Sequence, residues 1–552
     1  MRTLSLLFLS CICLMADPLT KKFSYLLSQG QINQCINLYL KEGGSTHYEL
    51  LDKLAKKILE RSLSSEDAEE HLISLFSHSI ANVPVPLHIL DAKLSSPAPY
   101  EQSVGLYLLG NRFEDKVEPI IAKGLSSMFL PIRMQALYFL ALRKSPILVG
   151  QVESLQNLLP PEYEGIFADL LAIQGTPEAI TKIRHLITHK IEQVKLSAIR
   201  AGGAFHIDEL LPVIRPFLDD PSQRTKEVAL FSLGEMADLK EKDKVILALD
   251  HPNPLIRLAG ALSLKKLNIE TEKLGKVCKT LEKDKNLYYI AHYPELSQEP
   301  AFLADSLSDT DDNVRLNAAL SLLKLKHPAS VPVIRDIIFC DPSAVHFKPH
   351  YSPGGVLSYI EVLPSASTLS GEERSMLTRY TEGFLMQVAS ASLELPEPSF
   401  LFLAEKIYQA GRHPLTRLFI QLLEQKKSEE CKKMLERFAG KIGDPIARRF
   451  AKLALYRLSD DAASDLRFIS WLEKQEPAQM MQFCEAPSPQ ERYKSRDILI
   501  QPEEEIAFFI EAYETIALHR EPKTIPILLH AISHGHLKNR PIFAALLLKT
   551  IQ

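Results

Sequence analysis

Histidine is the residue type here best placed to do chemistry. Three stand close together in LLHAISHGHL: His530, His534 and His536. His530 and His534 are four apart, so a helix would put them on one face. Neutral imidazoles at that spacing can share a zinc or nickel ion. A hydrolytic site would also need a carboxylate base, as in HExxH, and Ala531 and Ile532 occupy those places. The alternative is a solvated, partly charged helix end. A second group is His346, His350 and Tyr351, side chains that bind metals or polar ligands. Pro349 excludes a helical clamp there, and no cysteine or carboxylate sits at metal-ligand spacing. That stretch reads as a contact loop for a partner or as a plain connector. A third candidate is the basic interval 403–457, with thirteen Lys/Arg against six Asp/Glu. Such a run could meet phosphates or an acidic protein or lipid surface.

No other signature of catalysis is present. There is no GxGxxG after a strand, no Walker loop, no GxSxG and no HExxH. The expectation is a chain without catalytic residues, cofactor or metal. The seven cysteines include no CxxC, and five remain beyond residue 16: Cys35, Cys278, Cys340, Cys431 and Cys484. Odd in number and far apart, they read as buried small hydrophobes rather than a disulfide framework. The net charge of −4 gives no global field favouring nucleic acid or an anionic membrane.

What holds these candidates is a run of helices. At 552 residues the chain exceeds what one core usually serves, so several domains or a repeat array are expected. Arg2, the apolar run from Leu4 to Met15, and Ala16 before Asp17 read as a secretory signal peptide over 1–16. Leu14 is a poor residue ahead of the cut, so a buried first helix stays open. That run is too short to span a bilayer, and no later stretch is long and apolar enough. Export to the periplasm or outside the cell is the expected localisation, and the cytoplasm if the leader is no signal. Residues 17–95 show helical apolar spacing and read as an N-terminal cap.

The stretch from Ser308 to Lys326 organises the middle of the chain. An acidic turn of Asp309, Asp311 and Asp312 leads into Val314-Arg315, then small and apolar residues. The pair recurs upstream as Ile256-Arg257, Thr225-Lys226, Val194-Lys195 and Ile132-Arg133, in steps of 29 to 31 residues or twice that. Tyr163-Glu164 is a weak intervening member, and Tyr100-Glu101 an early one. Four residues after each strong pair comes Ala136, Ala198, Ala229, Gly260 or Ala318. Prolines often precede the pair, where the ring suits a helix start. Such a period means stacked helix pairs, each too small to bury its own face.

These repeats resemble the HEAT-repeat family in its short bacterial form, best in DHPNPLIRLAGALSLKKL from Asp250 and DDPSQRTKEVALFSLGEM from Asp219. The resemblance covers about 100–326 and departs near KNLYYIAHY, at 285–293. It implies an all-α, right-handed α-solenoid with an array over 96–340. An irregular loop follows at 341–369, then a C-terminal helical region over 370–552 with a second connector at 486–501. It also implies a structural ladder in which the turn acid meets the helix arginine, Asp250 with Arg257 and Asp309 or Asp311 with Arg315. HEAT-like DNA glycosylases rely on aromatics near a carboxylate, and Trp471 lies outside the basic interval. HEAT-repeat hydroxylases use His-Glu dipeptides, and this chain has none. The function expected is a non-catalytic scaffold for a protein or peptide, with no nucleic acid. The rival reading is a nucleic-acid or anionic-ligand protein, or an enzyme, using 403–457.

Overall fold

In the computed structural model the described residues are 18–43, 47–156, 161–351, 357–364, 370–411, 413–440, 444–459, 462–475, 477–481 and 504–552. The expected leader at 1–16 and the connector at 486–501 lie outside them. Within these residues the fold is an α-solenoid of helix pairs with one two-stranded sheet. It divides into two compact units, Met1–Gln135 with Leu435–Gln552, and Ala136–Met434. The expected boundaries at 95, 340 and 370 are not the ones these units follow.

In the first unit the helix Arg540–Ile551 packs on two early helices, Tyr48–Leu63 and Ala68–Ile80. Its composition demands such cover. Ile542, Phe543, Ala544, Ala545, Leu546, Leu547 and Leu548 are all buried, so it has no water-facing stripe. Lys538, just ahead of it, reaches Asp67 at 3.1 Å and Glu69 at 2.5 Å. Residues 17–95, expected as an end cap, thus share a core with the other end of the sequence.

The second unit carries the clearest repeats. We label its second helices α1 (Glu192–Ala204), α2 (Gln223–Glu235), α3 (Pro254–Lys266), α4 (Leu287–Leu296) and α5 (Asp312–Lys324). Ser222, Asn253 and Asp311 cap the starts of α2, α3 and α5. Ala198, Ala229 and Ala318 are fully buried, as small residues at a helix–helix contact should be. The helices before them are short. In 208–219 Pro212 and Pro216 remove amide donors, and the chain there is 3-10, α and 3-10 in turn.

A serine ladder joins successive repeats. Ser232 Oγ donates to the Ile199 carbonyl at 2.9 Å, Ser263 Oγ to Leu230 at 2.6 Å, and Ser321 Oγ to Ile290 at 2.7 Å. The approach is close. A Cβ on Gly203 would lie 2.6 Å from the Ser232 Cα, so glycine is required there. The last rung has an added reason. Pro294 lies inside α4 and supplies no amide hydrogen to the Ile290 carbonyl, and Ser321 donates instead.

The expected acid–arginine ladder is not how the turns are joined. Arg257 Nη1 donates to the carbonyls of His251 at 2.9 Å and Pro252 at 2.8 Å, and Asp250 pairs with Lys273 at 2.6 Å. Arg315 bonds the Asp309 carbonyl at 2.6 Å and the Asp312 carboxylate, while Asp309 pairs with Lys285. Asp311 accepts from the Asn313 amide. Each arginine instead donates to carbonyls of the turn before its own helix. Arginines do bridge repeats elsewhere, as Arg200 with Asp169 and Arg215 with Asp238.

Candidate functional site

Beyond the array the chain turns back on itself as a hairpin, not the irregular loop expected. β1 (Val345–Tyr351) and β2 (Leu357–Pro364) pair antiparallel, with Phe347 opposite Val362, Pro349 opposite Ile360 and His350 opposite Tyr359. The intervening residues 352–356 and the stretch 365–369 are outside the described residues. Proline is tolerated in β1 because its nitrogen sits on the outer edge of the ribbon, where no ladder bond is needed. The alternation proves this: Phe347 directs its amide outward to Thr381 Oγ1 at 3.0 Å, and Pro349 is two residues on. β2 packs on α4 and α5, and β1 packs on α6 (Gly371–Ala391).

The outer edge of β2 is closed by two asparagines one turn apart on α5. Asn317 Oδ1 accepts from the Ile360 amide at 3.0 Å, and its Nδ2 donates to the Ile360 carbonyl at 2.7 Å. Asn313 Oδ1 accepts from the Val362 amide at 2.8 Å. Asn317 is fully buried, so these bonds replace water completely.

Between α4, α5, β2 and α6 lies a pocket of about 280 Å³. Leu320, Leu323, Leu357, Tyr359, Phe384 and Val388 give it apolar walls, and His292, Asn317, Lys324 and Gln387 add polar groups. Lys326 and Glu394 line it as an ion pair of 2.7 Å. Lys326 ends α5 with a left-handed backbone, φ 58°. Lys326 holds the Glu394 carboxyl below its usual range through hydrogen bonding and charge.

His292 has an unusual setting. Ser232, Ser263, His292 and Ser321 are spaced 31, 29 and 29 residues apart, so an imidazole stands at a serine rung. Its ring stacks on Tyr288 with centroids 5.4 Å apart. Nδ1 lies 2.8 Å from the Glu295 carboxylate. Burial raises the Glu295 carboxyl, but the His292 hydrogen bond and charge outweigh it and hold it below the usual range. An ionised carboxylate only accepts, so Nδ1 carries the hydrogen. Nε2 is buried and has no hydrogen-bond partner. Nearby, the buried Glu227 accepts from Tyr288 Oη at 3.3 Å, and burial pushes its carboxyl up to about 7.

The residues singled out from sequence fall differently. His346 is buried with Nδ1 unpartnered. His350 stacks on Tyr359 at 4.5 Å and donates from Nε2 to Glu361 at 2.7 Å. Tyr351 is 57% exposed. The three do not converge on one point. His530 and His534 stack at 4.3 Å, and His536 Nδ1 accepts from the Lys538 amide. Among the described residues no group of three or more His, Cys, Asp or Glu is placed to hold a metal ion.

The basic interval is divided between the two units. Lys426 donates to the Leu393 and Leu395 carbonyls and lies over the Phe400 ring. Arg449 pairs with Glu505 at 2.5 Å and Arg457 with Glu511 at 3.5 Å. Arg412 and Lys441 lie outside the described residues. The described charges named here are thus engaged locally. Cys35 and Cys431 are buried, and burial pushes the Cys35 thiol up to about 11.

Sequence reasoning missed His292, Asn317, Phe384 and Glu394. A signal existed for the first two. One breaks the serine spacing, and the other puts an amide four residues after Asn313 on a buried helix face.

No family model matches the chain, and no curated relative does. Solved structures do match, two of them as follows. One is a complex in which Kap95p binding induces the switch loops of RanGDP to adopt the GTP-bound conformation. It has 13% identity and a TM-score of 0.25, covering 91% of this chain and 67% of that one. The other is a Kap95:Nup1 complex, at 12% identity and a TM-score of 0.29, covering 93% of this chain and 66% of that one. The chain spans about two thirds of their length. Scores this low leave their partners without bearing on this chain.

Proposed function

We propose that this chain is a non-catalytic scaffold that docks a peptide segment of a partner protein in the pocket beside the hairpin. The carrying observation is the pocket itself: apolar walls, few polar groups and a charged pair, set in a helical-repeat unit. Recognition sites have this make-up, with apolar contact supplying affinity and sparse polar groups supplying orientation. Strand addition is a poor alternative. The β2 edge is already satisfied by Asn313 and Asn317, and Thr381 holds a β1 amide. The rival reading through 403–457 loses support because the described basic groups named above already have carboxylate, carbonyl or ring partners. The reading includes export, supported by the basic, apolar and small-residue order of 1–16. N-terminal sequencing of the native protein after fractionation tests that part: a chain starting at Asp17 outside the cytoplasm supports it, and an intact Met1 in the cytoplasm contradicts it.

The docking itself is tested with a random peptide display library selected on the whole chain. Ala391, an exposed residue lining the pocket, is then changed to Trp to fill it. Selected peptides should lose at least about tenfold in affinity for Ala391→Trp, the effect of blocking one buried anchor. Unchanged affinity, with an unchanged melting temperature, contradicts pocket docking.

A further inference from the structure

The charges around the pocket narrow what can fill it. Two lysines and one glutamate line it: Lys324, Lys326 and Glu394. Lys326 and Glu394 pair at 2.7 Å with more than half of each side chain exposed. Exposed pairs of that kind are weak, so Lys326 can turn to a second carboxylate at little cost. Glu394 also feels Lys426, so the one acid of the lining is shared between two cations. Lys324 is exposed at the end of α5. Its Nζ donates to the Ala291 carbonyl at 3.2 Å, and among the described residues no carboxylate lies within ion-pair distance of it. Glu295 on α4 feels its charge, but Glu295 is hydrogen-bonded to His292, is also acted on by Lys266, and stands outside the lining. An excess of positive charge thus borders apolar walls from Leu320, Leu357, Phe384 and Val388. At about 280 Å³ the space falls just below the range of drug-sized ligand sites and suits a single bulky side chain.

We propose, resting on the docking reading above, that the partner peptide is acidic: an apolar side chain fills the pocket, and an aspartate or glutamate beside it in sequence meets Lys324. Consecutive Cα atoms are about 3.8 Å apart, so an acid one or two residues from the anchor stays within reach. A neutral neighbour leaves the positive excess unanswered, and a basic one adds to it. An ammonium is a point charge with rotatable donors and no fixed fork, so Asp and Glu both serve. The apolar anchor carries the affinity. Charge complementarity at a solvated rim acts on association rate and on the choice of partner.

The probe is a peptide selected on the native chain and made as its C-terminal amide, so that its carboxylates are side chains. The acid beside the anchor is then changed to its amide, Asp to Asn or Glu to Gln. The native chain should bind the acidic form about threefold more tightly, the size of one exposed ion pair, through faster association. That advantage should shrink as salt is raised. Lys324→Gln should bring the two forms to equal affinity. Lys324→Glu is the second variant: it should prefer a peptide with lysine in place of the acid, so the charge swap restores what each single change loses. A lysine serving only the end of α5 would leave the ratio of the two forms unmoved. Selected peptides with no acid beside the anchor overturn the acidic assignment, as does an acidic advantage that survives Lys324→Gln. If Ala391→Trp weakens the peptides but the acid makes no difference, the acidic assignment fails and docking stands. If Ala391→Trp leaves their binding intact, both fail.

Discussion

At the scale of single residues, Asn317 does more than any other to fix the site. It supplies both a donor and an acceptor to Ile360, and it is buried. Asn317→Ala should cost about 2–4 kcal/mol, because two bonds go and two buried backbone groups lose their partners. Urea unfolding measures the total, and faster exchange of the Ile360 amide locates it. Glu227 gives a pH dependence. Its carboxyl is raised from an ordinary 4.5 to about 7 by burial, so the folded chain holds a proton that the unfolded chain has released. Stability from this group therefore falls as pH rises from about 4.5 to about 7, then levels off. The full effect is on the order of 3 kcal/mol. Glu227→Gln should flatten the profile between those limits, read as melting temperature against pH. Arg257→Ala removes two charge-assisted bonds to turn carbonyls. A loss of about 1–3 kcal/mol is expected with peptide affinity unchanged; lost affinity at an unchanged melting temperature would contradict its structural role.

At the scale of elements, the repeat helices were legible in the sequence and the hairpin was not. Caps, proline starts and small residues act within one turn, so Asp311, Pro254 and Ala318 announce their helices from their neighbours alone. The groups that hold Tyr359–Leu363 as a strand lie far off in sequence. Asn317 is 43 residues from Ile360, Asn313 is 49 from Val362, and Thr381 is 34 from Phe347. The departure at 285–293 was visible as a missing basic residue. That His292 occupies a serine rung became readable only once its neighbours showed which carbonyls the serines reach. Helix ends offer a separate test. Ala237, exposed, follows α2 in the left-handed region at φ 51°, a conformation that costs a Cβ-bearing residue. Ala237→Gly should raise stability by about 0.5–1 kcal/mol, the strain relieved exceeding the added freedom of the unfolded chain. Thermal unfolding reports it.

At the scale of the whole molecule, the two compact units differ in what they were made legible by. The unit from Ala136 to Met434 rests on local repeats, and its site sits where the repeat gives way to a ribbon. The other unit rests on a contact between residues some 470 apart, which no periodic pattern announces. Deleting 540–552 should uncover Tyr48–Leu63 and Ala68–Ile80. Hydrogen exchange should then rise across 48–80 and stay unchanged across 192–324. An equal rise in both would show that the units do not unfold separately.

The central claim is that a partner peptide docks beside the hairpin, and contact at the pocket lining tests it most directly. Gln387 lines the pocket and is exposed, so p-azidophenylalanine placed there meets whatever enters. The same group at Met376, 64% exposed and outside the pocket lining, is the control. A peptide selected on the native chain should crosslink at 387 and not at 376. Equal labelling at the two positions, or labelling at 376 alone, would contradict the account.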